Sequence, residues 1–135
     1  MKNSKQHNLL FIDDSETEIS FIQLLIEIEK LPIIAHFERT AQEGLEYLKS
    51  LTQDTYHAVV IVDINMPLMN GFEFAQAFEK KIAALAPNTK LFILSSTLRL
   101  SEIQKAKKMN IVCDFLEKPF SKEHFFDKIL PKLTK

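Results

Sequence analysis

Short apolar runs alternate along the chain with stretches whose apolar positions recur every three or four residues. "LLFI" (9–12) leads into Asp13 and Asp14. Ser15 and Glu18 follow at capping-box spacing, ahead of a stripe formed by Ile19, Ile22, Leu25 and Ile26. That pattern predicts a helix with Ser15 as its N-cap, stopped by Pro32. "IIAHFE" (33–38) alternates Ile33, Ala35 and Phe37 with Ile34, His36 and Glu38, as an edge strand does. Thr40 and Glu43 repeat the capping spacing before "AQEGLEYLKSL". "AVVIV" (58–62) shows no alternation, which predicts a strand covered on both faces. Next, "GFEFAQAFEKKIAALA" places Phe74, Phe78, Ile82 and Leu85 in one stripe, with Pro87 beyond it. "LFIL" (91–94) is a second continuous run, ending in Ser95-Ser96. Ser101 and Gln104 make a third capping pair before "EIQKAKKM". A shorter mixed strand, "CDFLE" (113–117), precedes Lys118-Pro119. Ser121 then caps a last helix whose apolar face is Phe125, Phe126, Ile129 and Leu133.

Five strands alternating with five helices predict an α/β fold with helices on both faces of a parallel sheet. With an edge-like second strand, the pattern fits a doubly wound flavodoxin-like (βα)5 sheet of strand order 2-1-3-4-5. The 135 residues suit one domain, residues 8–135, behind a polar lead-in at 1–7. With 46% hydrophobic residues the chain can build a real core. A formal net charge of −1 gives no electrostatic case for nucleic acid or membrane. The lone Cys113 excludes an internal disulfide and a cysteine metal cage, and reads as a buried strand cysteine in a reducing compartment. The opening "MKNSKQHN" has no apolar h-region and no run is long enough to span a membrane, so a cytoplasmic location is expected. The four histidines are scattered without ligand spacing.

In open α/β sheets, ligands bind beyond the carboxyl ends of the strands. There the predicted strands deliver Asp13-Asp14, Asp63, Ser95 and Lys118. Each alone has an ordinary account: Asp14 as a helix cap, Asp63 as turn chemistry, Ser95 as a strand-end hydroxyl, Lys118 as a solvated lysine. Together they put three carboxylates on one flank of a crevice, with a hydroxyl and an ammonium on the other. Close carboxylates attract a hard divalent cation such as Mg²⁺. A carboxylate can also be the nucleophile that forms an acyl phosphate, with lysine and hydroxyl holding the phosphoryl oxygens.

On these residues the chain resembles the receiver domain of two-component response regulators. "FIDDS", "VDINMPLMNG", "LFILSS" and "DFLEKPF" resemble that family's acidic pair, acceptor, switch-hydroxyl and lysine-proline signatures. The resemblance implies that Asp63 accepts a phosphoryl group. It implies that Asp14 binds Mg²⁺ directly, Asp13 through water, and Asn65 through its backbone carbonyl. Lys118 and Ser95 pair with the phosphoryl group, and Phe115 is the aromatic switch. Asn65 and Thr97 tune the phosphate lifetime, and the Lys118-Pro119 peptide is cis. The chain departs from the family at Asn110-Ile111, where Gly-Ala is common, at Ser96, and at Phe115, where Tyr is common.

The implied partners are a histidine kinase or phosphotransfer protein upstream and a protein target downstream. The target would bind the face of the fourth helix, fifth strand and fifth helix, where Lys105, Lys107 and Lys108 crowd one helix. The expectation is a stand-alone receiver with no output domain, which assists its own phosphorylation without being an enzyme in the usual sense. Two alternatives stand beside it: a pseudo-receiver that is never phosphorylated, and an aspartyl-nucleophile phosphatase. Against the phosphatase, Asn65 occupies the position where such enzymes usually carry a general acid.

Overall fold

A computed structural model describes residues 6–51, 57–96 and 99–133. The elements run β1 (His7–Ile12), α1 (Glu16–Ile28), β2 (Ile33–Glu38), α2 (Ala41–Lys49), β3 (Val59–Asp63), α3 (Gly71–Lys81), β4 (Lys90–Ser95), α4 (Leu100–Lys107) and β5 (Val112–Glu117). A π-helical turn, His124–Ile129, then runs into α5 (Leu130–Leu133). The five strands are parallel and ordered 2-1-3-4-5, as the pattern predicts.

The continuous apolar runs are explained by a sheet buried on both sides. Leu10, Ile12, Val60, Val62, Leu91 and Ile93 face α2, α3 and α4. Leu9, Phe11, Val59, Ile61, Phe92 and Leu94 face the other way, toward Ile22 of α1 and toward Phe120, Phe125 and Ile129. Each fully buried aliphatic or phenylalanine side chain contributes about 1.5–3 kcal/mol relative to exposure. β2 is the edge strand, and its outward side chains remain partly exposed. Between β4 and β5 the register slips, with Leu91 opposite Val112 but Phe92 opposite Asp114. Cys113 is the extra residue of this bulge, which leaves it half-buried rather than deep in the core.

Three helix readings need correction. Ser101 does not cap α4, which begins at Leu100 with Arg99 as N-cap and no side-chain capping bond. Leu85 lies beyond the end of α3 in a series of turns and is exposed. Phe126 is 45% exposed and stands edge-on to Phe125 instead of joining the core. Pro131 explains the last case. It has no N–H and its ring collides with the carbonyl one turn back, so the chain widens locally. The Leu130 N–H accordingly bonds the Phe125 carbonyl in an i to i−5 step. Ser121 does cap this helix, accepting from the His124 N–H at 3.1 Å, while its own N–H meets His124 Nδ1 at 3.2 Å.

A polar cluster ties the edge strand to the centre. The Tyr47 hydroxyl meets His57 Nε2 at 2.6 Å, and its ring stacks on His36 at 3.9 Å. His36 Nε2 in turn lies 2.6 Å from Glu38 Oε2. His57 is buried, and its Nδ1 has no hydrogen-bond partner. Burial, reinforced by the neighbouring His36, pushes the His57 imidazole from 6.5 down to about 4. The folded chain therefore resists protonating it. The stability carried by neutral His57 is full above pH 6.5 and is lost as the pH falls through 4. Relative to His57→Gln, which can still meet the tyrosine, the wild type is expected to lose about 1–3 kcal/mol between neutral pH and pH 4. Urea titrations at each pH measure the difference; parallel curves would mean that His57 titrates normally.

Candidate functional site

Asp13 follows directly on β1, the second strand of the sheet. Its Oδ1 accepts the Ser15 N–H at 2.9 Å, and Ser15 Oγ accepts the Glu18 N–H at 3.2 Å. The predicted capping box is therefore only half made: Asp13 takes the N–H that Glu18 would have bonded. This bond fixes Asp13 in place at 2% exposure, while Asp14 turns outward to solvent. Asp63 closes β3 between β1 and β4 and is 5% exposed. Ser95, the last residue of β4, is fully buried.

Lys118 stands one residue past β5, and its N–H donates to the Ser95 carbonyl at 2.7 Å. The Lys118-Pro119 peptide is cis, as the resemblance implies. From this anchor the Lys118 ammonium reaches Asp13 Oδ2 at 3.0 Å and Asp63 Oδ1 at 3.4 Å. Asp13, Asp14 and Asp63 each bring a carboxylate oxygen within 4.8 Å of the others. The structure thus brings together four of the predicted residues from three strand ends, with Ser95 beside them on a fourth. Asn65 sits exposed at the mouth, its N–H 3.4 Å from Asp63 Oδ1. Phe115 is half-buried and lines a cleft between α4 and β5 with Ile103, Ala106 and Lys107. Thr97 lies outside the described residues.

The loop after Asp63 is held by close backbone contacts. The Ile64 N–H bonds the Leu94 carbonyl at 3.0 Å, and the Gly71 N–H returns to the Ile64 carbonyl at 3.1 Å. A side chain on Gly71 would bring its Cβ to 2.9 Å from Ile64 Cα and 3.0 Å from the Asp63 carbonyl oxygen. Only glycine lets α3 begin this close to the backbone that carries Asp63. Between them, Leu68 adopts a left-handed φ of 71° inside a tight turn closed by the Met69 N–H on the Pro67 carbonyl at 2.7 Å. Asn70 and Glu73 form the one complete capping box among the described residues, both bonds 2.9 Å. The spacing that reveals it, Asn followed three residues later by Glu, was present in the sequence and is missed when only Ser and Thr are sought as caps.

Three carboxylates gather beside one ammonium, which contacts only Asp13 and Asp63, so negative charge is in excess. Burial first, and then the charge of Asp13, push the Asp63 carboxyl up from 3.8 to about 6, against the pull of Lys118 and the Asn65 N–H. Burial alone would lower the Lys118 ammonium, but its contact with Asp13 and the charge of Asp63 outweigh this and hold it above its ordinary value. An all-oxygen, net-negative donor set fits a hard divalent cation. The raised folded-state value means that ionised Asp63 costs stability above pH 6, a cost relieved as the pH falls toward 3.8. Asp63→Asn is therefore expected to stabilise the metal-free protein by about 1–3 kcal/mol above pH 7, since Lys118 keeps Asp13. The gain should shrink through pH 6. Destabilisation at pH 7.5 in urea unfolding would instead mean that the Lys118 contact outweighs burial.

Comparison with known proteins agrees with this geometry. Residues 9–130 match the family described as the response regulator receiver domain. Over 117 residues the chain is 26% identical to the autoinducer 1 sensor kinase/phosphatase LuxN of Vibrio campbellii, covering 87% of this chain but only 12% of that relative. A two component response regulator from Cytophaga hutchinsonii superposes with a TM-score of 0.79 at 22% identity, over 87% of this chain and 90% of that one. A response regulator receiver protein from Dyadobacter fermentans gives 0.75 at 26% identity, over 84% and 88%. No helix among the described residues is long and apolar enough to cross a membrane. With four signatures in order, the 2-1-3-4-5 sheet and the acidic cluster at its carboxyl edge, the chain belongs to the response regulator receiver domain family.

Proposed function

We propose that residues 8–135 act as the receiver of a two-component phosphorelay and accept a phosphoryl group on Asp63. The observation that carries this reading is the position of Lys118, whose ammonium bridges Asp13 and Asp63 at the carboxyl edge of the sheet. Lys118 and the Asn65 N–H both address Oδ1 of Asp63. Oδ2 is then the oxygen that attacks phosphorus. An O–P bond forms to Oδ2 as the bond from phosphorus to the donor breaks, and the electron pair leaves with the donor. The donor is a phosphohistidine on a histidine kinase or phosphotransfer protein. Hydrolysis reverses the modification: water bonds to phosphorus and Asp63 recovers its carboxylate.

Asp13, Asp14 and Asp63, with the Asn65 carbonyl, would hold Mg²⁺, whose chemistry there is neutralisation of phosphoryl charge. Lys118 supplies the fixed positive charge on the opposite side, and Ser95 supplies a hydroxyl from the neighbouring strand end. Asn65, two residues after the acceptor in the sequence, and Thr97, two residues after Ser95, govern how long the phosphoryl group survives. Phosphorylation adds negative charge and acceptor oxygens to a site already rich in both. The response is read on the face of α4, β5 and the last helix, where Phe115 and the lysines of α4 meet a protein target. The chain assists its own phosphorylation and dephosphorylation rather than turning over a separate substrate. The chemistry suits the cytoplasm, where kinase domains and Mg²⁺ are available.

Incubation with acetyl phosphate and Mg²⁺, followed by intact mass measurement, is expected to add one phosphoryl group to the wild type and none to Asp63→Asn. A wild type that stays unmodified, with a kinase donor also tried, favours the pseudo-receiver. Equal modification of both proteins sinks the assignment of Asp63. Sustained release of phosphate from varied monoesters favours the phosphatase.

A further inference from the structure

α1 does not follow the pattern of the helices after it. Every exposed residue of α2 and α3 is polar or charged. α1 turns Ile22, Leu25 and Ile26 toward the sheet, yet it also leaves Phe21, Leu24 and Ile28 at 41%, 54% and 65% exposure. These three stand at i, i+3 and i+7, so they form one stripe along the outer side of the helix. Among the described residues no other element exposes three large apolar side chains. Single exposed apolar residues are ordinary, but a continuous stripe of them marks a contact surface.

The layout of the stripe indicates what meets it. Phe21 and Ile28 are equidistant from the middle of this segment, and so are Leu24 and Leu25. A second α1 running antiparallel to the first therefore sets Phe21 of each copy against Ile28 of the other, with the leucines meeting at the centre. A two-fold contact requires such a self-complementary patch. The charges agree with this direction. An antiparallel pair lays the acidic first turn, Glu16 and Glu18, beside the far end of the other helix, where Lys30 follows and Lys122 pairs with Glu29 at 3.5 Å. A parallel pair would set the two acidic turns side by side and align the helix dipoles. The exposed parts of the three side chains come to about 300 Å² per copy. With a polar rim of ordinary extent, two copies would bury about 1,000 Å² in total. That reaches the lower bound of a specific interface and falls short of a permanent one.

We propose that the outer stripe of α1 is a homodimer contact, through which two copies of this chain pair reversibly with their α1 helices antiparallel. Phe21 of each copy packs on Ile28 of the other, on either side of Leu24. The contact uses no residue of the acidic cluster and does not depend on phosphorylation of Asp63.

Sedimentation equilibrium of the full chain, up to about 1 mM, tests this directly. The wild type is expected to show a monomer–dimer equilibrium with a dissociation constant of roughly 10 µM to 1 mM. Leu24→Lys should weaken it by about tenfold or more, with an unchanged circular dichroism spectrum because Leu24 is exposed. Ile34→Lys is the control. It removes an apolar residue of similar exposure, 52%, from the edge strand, and should leave the equilibrium within about twofold of wild type. The antiparallel pairing has its own readout. Phe21→Lys and Ile28→Glu should each dissociate alone, while an equal mixture of the two should associate again. One Phe–Ile contact survives in the mixed dimer and the other becomes a Lys–Glu pair. A wild type that stays monomeric throughout, or a Leu24→Lys variant that dimerises as the wild type does, overturns the inference. So does growth into species larger than a dimer, or a mixture that stays monomeric. Each of these results leaves the reading of Asp63 as phosphoryl acceptor intact.

Discussion

The ammonium of Lys118, held between the buried carboxylates of Asp13 and Asp63, is the constraint around which the carboxyl edge of the sheet is organised. Without it, two carboxylates at 2% and 5% exposure would face each other at the ends of adjacent strands. Removing one partner from a buried charge cluster costs several kcal/mol, because the remaining charge has lost its solvation and its counterion. Yet one ammonium cannot balance three carboxylates, and burial first, then the charge of Asp13, raises the affinity of Asp63 for a proton. The site is thus stable enough to fold and still short of positive charge. That shortage is the physical reason the cluster of Asp13, Asp14 and Asp63 could bind a cation.

The backbone around the site restricts how that shortage can be relieved. Lys118 cannot withdraw freely, because its own N–H is bonded to the Ser95 carbonyl at 2.7 Å. Asp13 cannot rotate without releasing the first turn of α1. Asp63 is followed by a loop that returns within van der Waals distance at Gly71. The left-handed Leu68 is part of the same constraint, since the loop must reverse within a few residues to bring Gly71 back. Each group is positioned by a local bond that also ends or begins a secondary element. Positioning of this kind suits phosphoryl transfer, in which the protein contributes orientation and charge rather than covalent chemistry of its own.

Much of this was legible in the sequence, for identifiable reasons. A sheet covered on both faces leaves continuous apolar runs, and the residue that ends each run must emerge at one edge. Asp13, Asp63, Ser95 and Lys118 could therefore be placed together from one dimension. What escaped depends on geometry the pattern does not carry. Pro131 follows a good apolar stripe, and only its missing N–H forces the π turn that leaves Phe126 outside. Cys113 looks like any strand residue until the register slips beside it. Ser101 has the right spacing for a cap, but α4 starts ahead of it. The Ser15 capping box reads correctly by spacing and is half unmade, because a neighbouring aspartate competes for the same N–H. Capping signals identify who can bond, while burial of nearby charges decides who does.

The site is joined through β4 and β5 to the cleft beside α4. β5 is joined to β4 throughout its length except at the bulge, and its far end carries Lys118. Phe115 lies on that strand, three residues before the lysine, half-buried against α4. Lys118 therefore follows a strand whose pairing is interrupted at Cys113 and whose aromatic residue is not locked in the core. The bulge and the partial burial lower the cost of moving this edge of the sheet. A central sheet buried on both faces, a charge-deficient pocket at its carboxyl edge and one outer strand with an interrupted register are thus joined through β4 and β5.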